Sequence, residues 1–357
     1  MRIAVLVSGG VDSAVVVHKL FHEGHDLHLF YIRISNDNGE GECSYEEDIE
    51  MCSLIASKYN LPLTEVSLHQ EYWDYVMNYA LQTVKKGLTP HPDMMCNKII
   101  KFGFFEDKWG KDFDKTATGH YASIRKDENG YFLCTAQDPV KDQTDFLAQL
   151  SQTQLSHLLF PLGDMPKSMV REIAKEAKLP NASRKDSQGI CFLGKINYKD
   201  FIKRHIGEKL GDVIDIETNK KIGTHSGYWF YTIGQRKGLG LGGGPWFVVK
   251  KDVDTNIIFV SKGYDTPLQY GKEINLVEPN WITFDPFSQE INSLNIAFKI
   301  RHVPEFHTGI LSKNPIDNSL KLSSDQNIQG IAPGQYAIFY TPDMKICLGS
   351  ALITLKE

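Results

Sequence analysis

Six consecutive residues, Ser8-Gly9-Gly10-Val11-Asp12-Ser13, stand between the apolar run Ile3 to Val7 and the apolar-periodic stretch Ala14 to Leu20. A buried strand that turns through glycines into a helix aims successive backbone N–H groups and the positive end of the helix dipole at one point. A polyphosphate can sit there. Gly9 and Gly10 leave no Cβ in the way of that approach. The loop has neither the Gly-Lys-Ser/Thr ending of a P-loop nor the GxGxxG spacing of a dinucleotide site. Two cysteines add possible thiol chemistry. Cys96 lies in His91-Pro92-Asp93-Met94-Met95-Cys96-Asn97-Lys98, just before a helical pattern expected from Ile99 to Trp109. There the dipole and the nearby lysines would lower a thiol pKa. Cys191 lies in the polar loop Lys185-Asp186-Ser187-Gln188-Gly189-Ile190-Cys191-Phe192. Taken singly, a Gly-Gly turn is an ordinary structural feature and a cysteine is more often a packing residue than a nucleophile.

The elements that must position these residues alternate through the first two hundred residues. Leu27 to Ile34 reads as a strand, Tyr45 to Tyr59 as a helix, Leu63 to Leu68 as a strand, Trp73 to Val84 as a helix and Thr116 to Gly119 as a strand. Such βαβ alternation predicts a parallel sheet covered by helices, with ligands gathered at the carboxyl ends of the strands. A hairpin is expected around Glu128-Asn129-Gly130, and a helix from Pro166 to Lys178 with proline at its start. Beyond about residue 208 helical periodicity gives way to short alternating runs with turn signals, which reads as a small β-rich linking unit followed by a barrel. The expected boundaries are 1–208, 209–271 and 272–357.

At 357 residues, with 41% hydrophobic and 23% charged content, the chain has the composition of a globular protein of two or three domains. The first apolar run is five residues long and continues into the glycine turn, so neither a signal peptide nor a membrane span is expected, and a cytoplasmic location is the default. The six cysteines form no Cys-x-x-Cys pair and no zinc spacing. Cys43, Cys52, Cys134 and Cys347 are read as structural. A net charge of −5 does not advertise a nucleic-acid binder, so local patches must carry any RNA contact, the candidates being Lys98 with Lys101, Arg184 with Lys185, Lys203 with Arg204, Arg236 with Lys237, and Lys250 with Lys251.

The chain resembles the bacterial tRNA-specific 2-thiouridylases of the PP-loop ATP pyrophosphatase superfamily. The motifs run in order along its whole length: SGGVDS, EYWDYV (Glu71 to Val76), PDMMCNKIIKF (Pro92 to Phe102), ATGHY (Ala117 to Tyr121), KDQTDFL (Lys141 to Leu147), KDSQGICF (Lys185 to Phe192), YTIGQRKGLG (Tyr231 to Gly240), PWFVV (Pro245 to Val249) and APGQ (Ala332 to Gln335). The resemblance implies a three-domain enzyme with a parallel-sheet PP-loop domain, a central tRNA-contacting domain and a C-terminal β-barrel. Its substrate would be the wobble uridine of tRNAs for Lys, Glu and Gln, activated as an adenylate by ATP with Mg²⁺, with no fixed metal site in the protein. A persulfide carried by Cys191 would supply sulfur from a cysteine desulfurase or relay protein. Cys96 would resolve it and Asp93 act as acid/base, a position that also suits a helix cap. By resemblance ATP contacts fall on Leu6, Val7, Ser8, Gly9, Gly10, Val11, Asp12, Ser13, Ile32 and Gly119. The tRNA contacts fall on His91, Pro92, Asp93, His120, Lys141, Asp142, Gln143, Arg301, His302 and Gln335. The family's Asn-Pro-Asp is His91-Pro92-Asp93 here, and a histidine near its ordinary pKa of about 6.5 would make RNA affinity vary between pH 6 and 8. Rival readings are an amide-forming ligase or another tRNA thiolase with the same loop, and a non-catalytic RNA-binding or sulfur-carrier protein.

Overall fold

A computed structural model describes residues 1–34, 45–186, 198–264, 266–288, 291–317 and 319–355. Its first unit is a five-stranded parallel sheet built from β1 (Arg2–Leu6), β2 (Asp26–Arg33), β3 (Leu63–Ser67), β4 (Lys115–Ala117) and, further along the chain, β7 (Leu158–Leu159). The spatial order is β3-β2-β1-β4-β7. Ile3, Ala4 and Val5 of β1 are fully buried, as expected of a central strand covered on both faces. One face carries α1 (Val11–His22) and α2 (Tyr45–Tyr59), with Val15, Val16, Val17, Cys52 and Ile55 in one core. The opposite face packs on a long helical run. It comprises α3 (His69–Tyr72), a π-type turn at Trp73–Met77 and α4 (Asn78–Lys85), followed by α5 (Pro92–Met95), a second π-type stretch at Cys96–Phe104 and α6 (Phe105–Lys108). This corrects two boundaries read from the sequence. Helical backbone starts at His69 rather than Trp73, and at Pro92 rather than Ile99. Proline at the first helical position, where its missing N–H costs nothing, explains the earlier second start.

The hairpin β5 (Ser123–Asp127) and β6 (Gly130–Cys134) turns through Glu128-Asn129, where a hairpin was expected, but it does not join the parallel sheet. β6 instead pairs with the last strand of the chain through Ile346↔Cys134 and Cys347↔Leu133. After α7 (Gln152–Ser156), α8 (Lys167–Glu176) and α9 (Tyr198–Ile206) comes a small four-stranded sheet of β8 (Gly211–Asp215), β9 (Lys220–His225), β10 (Trp246–Asp252) and β11 (Ile257–Lys262), in the order β10-β11-β8-β9. The last unit contains β12 (Tyr270–Trp281), β13 (Ser293–Lys299), β14 (His307–Lys313), β15 (Leu320–Gln329), β16 (Tyr336–Tyr340) and β17 (Ile346–Ile353). Pairing of β12 with β17 closes these six antiparallel strands into a barrel. Phe298, Phe339, Leu311 and Leu322 fill its interior.

Segment 142–150 is wedged between the parallel-sheet unit and the barrel. Asn280 Nδ2 donates to the carbonyls of Ala148 and Leu150, both at 3.1 Å, and Gln149 Nε2 donates to Ser350 Oγ at 2.9 Å. The Thr144 and Tyr340 hydroxyls lie 3.0 Å apart. Asp142 and Lys299 form an ion pair at 3.4 Å with both side chains at most 3% exposed. A buried charge is tolerated only when paired, so this contact ties the barrel to the first domain together with the hydrogen bonds around it.

Candidate active site

Strand order reverses direction at β1, whose neighbours are β2 on one side and β4 on the other. Open α/β sheets leave a crevice at the carboxyl edge beside such a switch point. The Ser8–Ser13 turn follows β1, Gly119 follows β4, and Ile32 lies near the end of β2. Gly9 has φ +70°, and a Cβ there would sit 2.8 Å from the Asp48 carbonyl. At Gly119 a Cβ would come within 3.1 Å of the Ser13 nitrogen. Gly9 therefore requires glycine for its backbone conformation, and Gly119 is a tight approach that a side chain would crowd. Ser13 Oγ donates to the Gly10 carbonyl at 3.1 Å and accepts from Ser8 N at 3.3 Å. The Gly9 carbonyl accepts from Asn181 Nδ2 at 2.9 Å and from Arg184 at 3.1 Å.

Asp12 is the charged centre of this edge. Its Oδ1 accepts from Tyr121 Oη at 2.9 Å and from Lys167 Nζ at 2.6 Å. The same ammonium lies 2.9 Å from Asp186, which also binds Lys141 at 3.0 Å and Arg171. Partial burial alone would raise the Asp186 pKa, but hydrogen bonds from Lys167 and Lys141 outweigh it and hold it at about 2. Burial and the neighbouring Asp12 carboxylate push the Tyr121 phenol far up, so it stays a donor. Lys167, Tyr121 and Asn181 were not read from the sequence as site residues, and Arg184, expected only as part of a basic patch with Lys185, lies instead on the glycine turn and Asp48. One signal was present: Lys167 opens α8, where a cation opposes the helix dipole. The carboxylates of Asp12 and Asp186 explain its place there.

On the far side of the site, Cys96 is buried one turn inside the helix that begins at Pro92. The expectation of a thiol just ahead of a helix is corrected accordingly. The cap is also reassigned, because Nδ1 of His91, not Asp93, accepts from Met94 N at 3.4 Å. Asp93 is the acidic residue of the first turn, favourably placed against the dipole. His91 is enclosed with Phe146 and Tyr336, with ring centroids 5.6 and 6.4 Å away. Burial lowers its pKa despite the nearby carboxylates of Asp93 and Asp145, which favours the neutral ring. His302, the other histidine of this cluster, has its Nδ1 2.8 Å from Asp145 Oδ2. That hydrogen bond raises the His302 pKa. Phe146, absent from the residues singled out in the sequence, lies between the two histidines, 4.5 Å from His302. Its carbonyl accepts from Asn97 Nδ2 at 3.1 Å, beside Cys96.

The structure brings together many of the expected tRNA contacts, by different means. Gln335 Nε2 donates to the carbonyls of Thr89 at 3.3 Å and Pro90 at 2.8 Å, so the barrel grips the loop that carries His91. Arg301 donates to the Gly330 carbonyl at 2.8 Å. Gln143 Oε1 accepts from Tyr121 N at 3.0 Å. His120 lies between Phe102 and Phe160, bonded to Thr118 at 2.8 Å, and burial holds its pKa well below the ordinary value. Asp142 differs from the expectation of an RNA-facing side chain. Its carboxylate is committed to Ala136 N, Thr144 Oγ1 and Lys299 inside the protein. Cys191 and Cys43 lie outside the described residues.

Comparison with known proteins adds the family. The chain is 57% identical over 355 residues to the tRNA-specific 2-thiouridylase MnmA of Parabacteroides distasonis, covering 99% of each chain. It is 55% identical over 360 residues to that of Porphyromonas gingivalis, again covering 99% of both. A tRNA-specific 2-thiouridylase of Bacteroides fragilis is 56% identical over 354 residues, covering 99% of this chain and all of the relative. The chain belongs to the tRNA-specific 2-thiouridylase family. Family models match three consecutive stretches: a "tRNA methyl transferase HUP domain" at residues 1–195, a "tRNA methyl transferase PRC-barrel domain" at 199–262 and an "Aminomethyltransferase beta-barrel domain" at 271–353. Full-length identity to 2-thiouridylases decides between thiolation and the methyl transfer in those descriptions. Among the described residues no helix is long and apolar enough to cross a membrane, and no group of three or more His, Cys, Asp or Glu side chains could hold a metal ion.

Proposed function

We propose that the chain replaces the C2 oxygen of the wobble uridine in tRNA with sulfur, consuming ATP and releasing AMP and pyrophosphate. The observation that carries this reading is a short line of contacts. Asp12 in the glycine turn is bonded to Tyr121, Tyr121 N to Gln143, and Phe146, three residues on, to Asn97 beside Cys96. A nucleotide cradle and a buried thiol thus belong to one hydrogen-bonded edge. A carbonyl oxygen is a poor leaving group until adenylated, and a sulfur nucleophile then displaces AMP.

In this reading the backbone of Ser8 to Ser13 cradles the phosphates, where the glycine positions leave the room a Cβ would fill. Leu6, Val7, Ile32 and Gly119 border the adenosine, and Lys167 compensates phosphate charge. Asp12 would hold Mg²⁺, which supplies charge neutralisation on the phosphates. Cys191 carries the terminal sulfur as a persulfide, delivered by a cysteine desulfurase or relay protein. That sulfur attacks C2 and AMP leaves, giving a C2–S–S–Cys191 link. The Cys96 thiolate then attacks Cys191 Sγ and breaks this S–S bond, so the sulfur stays on C2 and a Cys96–Cys191 disulfide remains that an external thiol must reduce before the next cycle. Asp93 moves the proton. His91, Pro92, His120, Lys141, Gln143, Arg301, His302 and Gln335 face or position the anticodon of tRNAs for Lys, Glu and Gln, while Asp142 contributes by fixing the 142–147 segment. Segments 1–208, 209–271 and 272–357 divide these tasks.

The test is reaction of purified protein with tRNA, ATP and a sulfur-loaded desulfurase. The expected products are AMP, pyrophosphate and 2-thiouridine identified by nucleoside mass spectrometry. Formation of ADP, or of an amide nitrogen product, would overturn the reading.

A further inference from the structure

Beside the loop that carries His91 lies a cleft of about 320 Å³ between the first domain and the middle domain. Its size is near the lower end of the roughly 300–1,000 Å³ of small-ligand sites, suited to one base rather than to a duplex. Pro90 forms part of one wall, Trp229 and Phe230 form the other, and Lys199 of α9 stands at the side. The Lys199 ammonium is 5.7 Å from the centre of the Phe230 ring. We propose that this cleft receives one unstacked anticodon-loop base, from a nucleotide flanking the target uridine, with Phe230 as the stacking face and Lys199 as the contact to its phosphate. The proposal rests on the tRNA reading above and adds a second base site to it.

Continuity comes first. Pro90 lines the cleft and the adjacent His91 faces Phe146, and consecutive Cα atoms are about 3.8 Å apart. The cleft and the histidine cluster therefore open on either side of one short loop, where two consecutive nucleotides of a splayed strand can part. Chemistry comes second. A half-buried aromatic face with a cation beside it is the usual platform for a single-stranded base and its phosphate. Arg204, Arg236 and Lys237 are exposed on the flanking α9 and middle-domain surfaces, in a chain whose overall charge is negative. Arg236 and Lys237 lie in sequence between the lining residues Gln235 and Gly238, so the rim of the cleft carries positive charge that suits an anionic occupant.

The walls are also built in advance. Trp229 Nε1 donates to the Gly207 carbonyl at 3.2 Å, and Tyr228 Oη donates to the Lys85 carbonyl, joining the middle domain to α4. Gln335 holds Thr89 and Pro90 from the barrel side. Gln235, a polar side chain in the lining, is already engaged with Thr232 N and the Lys237 carbonyl, both at 3.0 Å. The cleft is thus equipped to stack a base more than to read its edge. It should be sensitive to whether a base is present and tolerant of which base it is.

The experiment uses the full chain and anticodon stem-loop RNAs that carry a single abasic nucleotide at each loop position flanking the target uridine. RNA affinity is measured by equilibrium binding, and KM and kcat by 2-thiouridine formation. Phe230→Ala is expected to weaken RNA binding and raise KM about tenfold, the scale of one lost base stack, with kcat and the KM for ATP unchanged. Phe230→Trp should retain affinity. One abasic position should cost the wild type the same factor and cost Phe230→Ala nothing further, while base changes at that position have little effect. An unchanged RNA affinity in Phe230→Ala, or abasic penalties that simply multiply with the variant's at every position, would overturn the proposal. If Phe230→Ala does not fold, Lys199→Ala at the exposed edge and Phe230→Trp, measured against the same abasic series, decide it. RNA bound with these signatures but never thiolated would sink the activity assignment and leave the cleft standing.

Discussion

The phosphate edge and the base-facing edge of this site are held by different means. Around Asp12 the contacts lie within the first domain and are dominated by charge: Lys167, Asp186, Lys141 and Arg171 form one network, with Arg184 and Asn181 on the Gly9 carbonyl. Around His91 the contacts cross domains and are mostly neutral, with Gln335 of the barrel on Pro90, Tyr228 of the middle domain on Lys85, and Phe146 between two histidines. On the proposed reading, the difference implies that nucleotide chemistry would depend on a local turn, whereas presentation of the base would depend on contacts between domains. Damage at the first edge should stop chemistry. Damage at the second should weaken RNA engagement or the assembly itself.

The largest effects are expected at the reacting groups. Asp12→Ala should reduce AMP formation to background, because it removes the carboxylate and leaves Lys167 facing only Asp186. Gly9→Val should do the same and also destabilise the protein, since a β-branched residue is strained at φ +70° and would meet Asp48 and Arg184. AMP release and thermal unfolding of both variants separate these effects. Cys191→Ser should neither accept labelled sulfur nor thiolate tRNA, whereas Cys96→Ser should accept the label and fail to complete transfer. Multiple turnovers by Cys96→Ser at the wild-type rate, with a reductant supplied, would remove its resolving role.

Next in size is the domain junction. Asp142→Asn should cost about 3–5 kcal/mol in urea unfolding, because it strands the Lys299 ammonium in an almost fully buried site. Asp142→Asn combined with Lys299→Met should recover much of that loss. A single-variant cost under about 1 kcal/mol would show that the ion pair does not hold the junction.

The smallest effect is a pH dependence. His302 has its folded pKa raised, so its contact with Asp145 contributes fully below the unfolded value of about 6.5 and fades as pH rises through the folded value. RNA affinity should therefore fall modestly from pH 6 to pH 8, and Asp145→Asn should flatten the profile. His91→Asn should leave it unchanged, because burial favours the neutral ring of His91. A profile flattened by His91→Asn and not by Asp145→Asn would reverse the assignment.

Much of the first edge was legible in residue order. Ser8 to Ser13 follows a strand and opens a helix, and Gly119 follows another strand, so their place at one sheet edge was readable from periodicity and turn chemistry. Cys96 and Asp93 were legible as candidates, but their setting was misjudged by one helical turn. The cap at His91 is an imidazole, a residue type that local preference for Ser, Thr, Asp and Asn does not single out.

By itself the sequence determined the parallel-sheet domain, the phosphate turn and the change to β structure near residue 208, because each is encoded by spacing within a few residues. Only the tertiary structure decided that the hairpin at Ser123 to Cys134 extends the barrel and that Asp142 pairs with Lys299 rather than facing outward. It also decided that Lys167 completes the Asp12 edge and that Phe146 joins His91 to His302. Those partners are separated by 157 residues between Asp142 and Lys299 and by 155 between Asp12 and Lys167. Burial, which makes a charge choose a partner and lowers a histidine's pKa, exists only once such distant segments have packed.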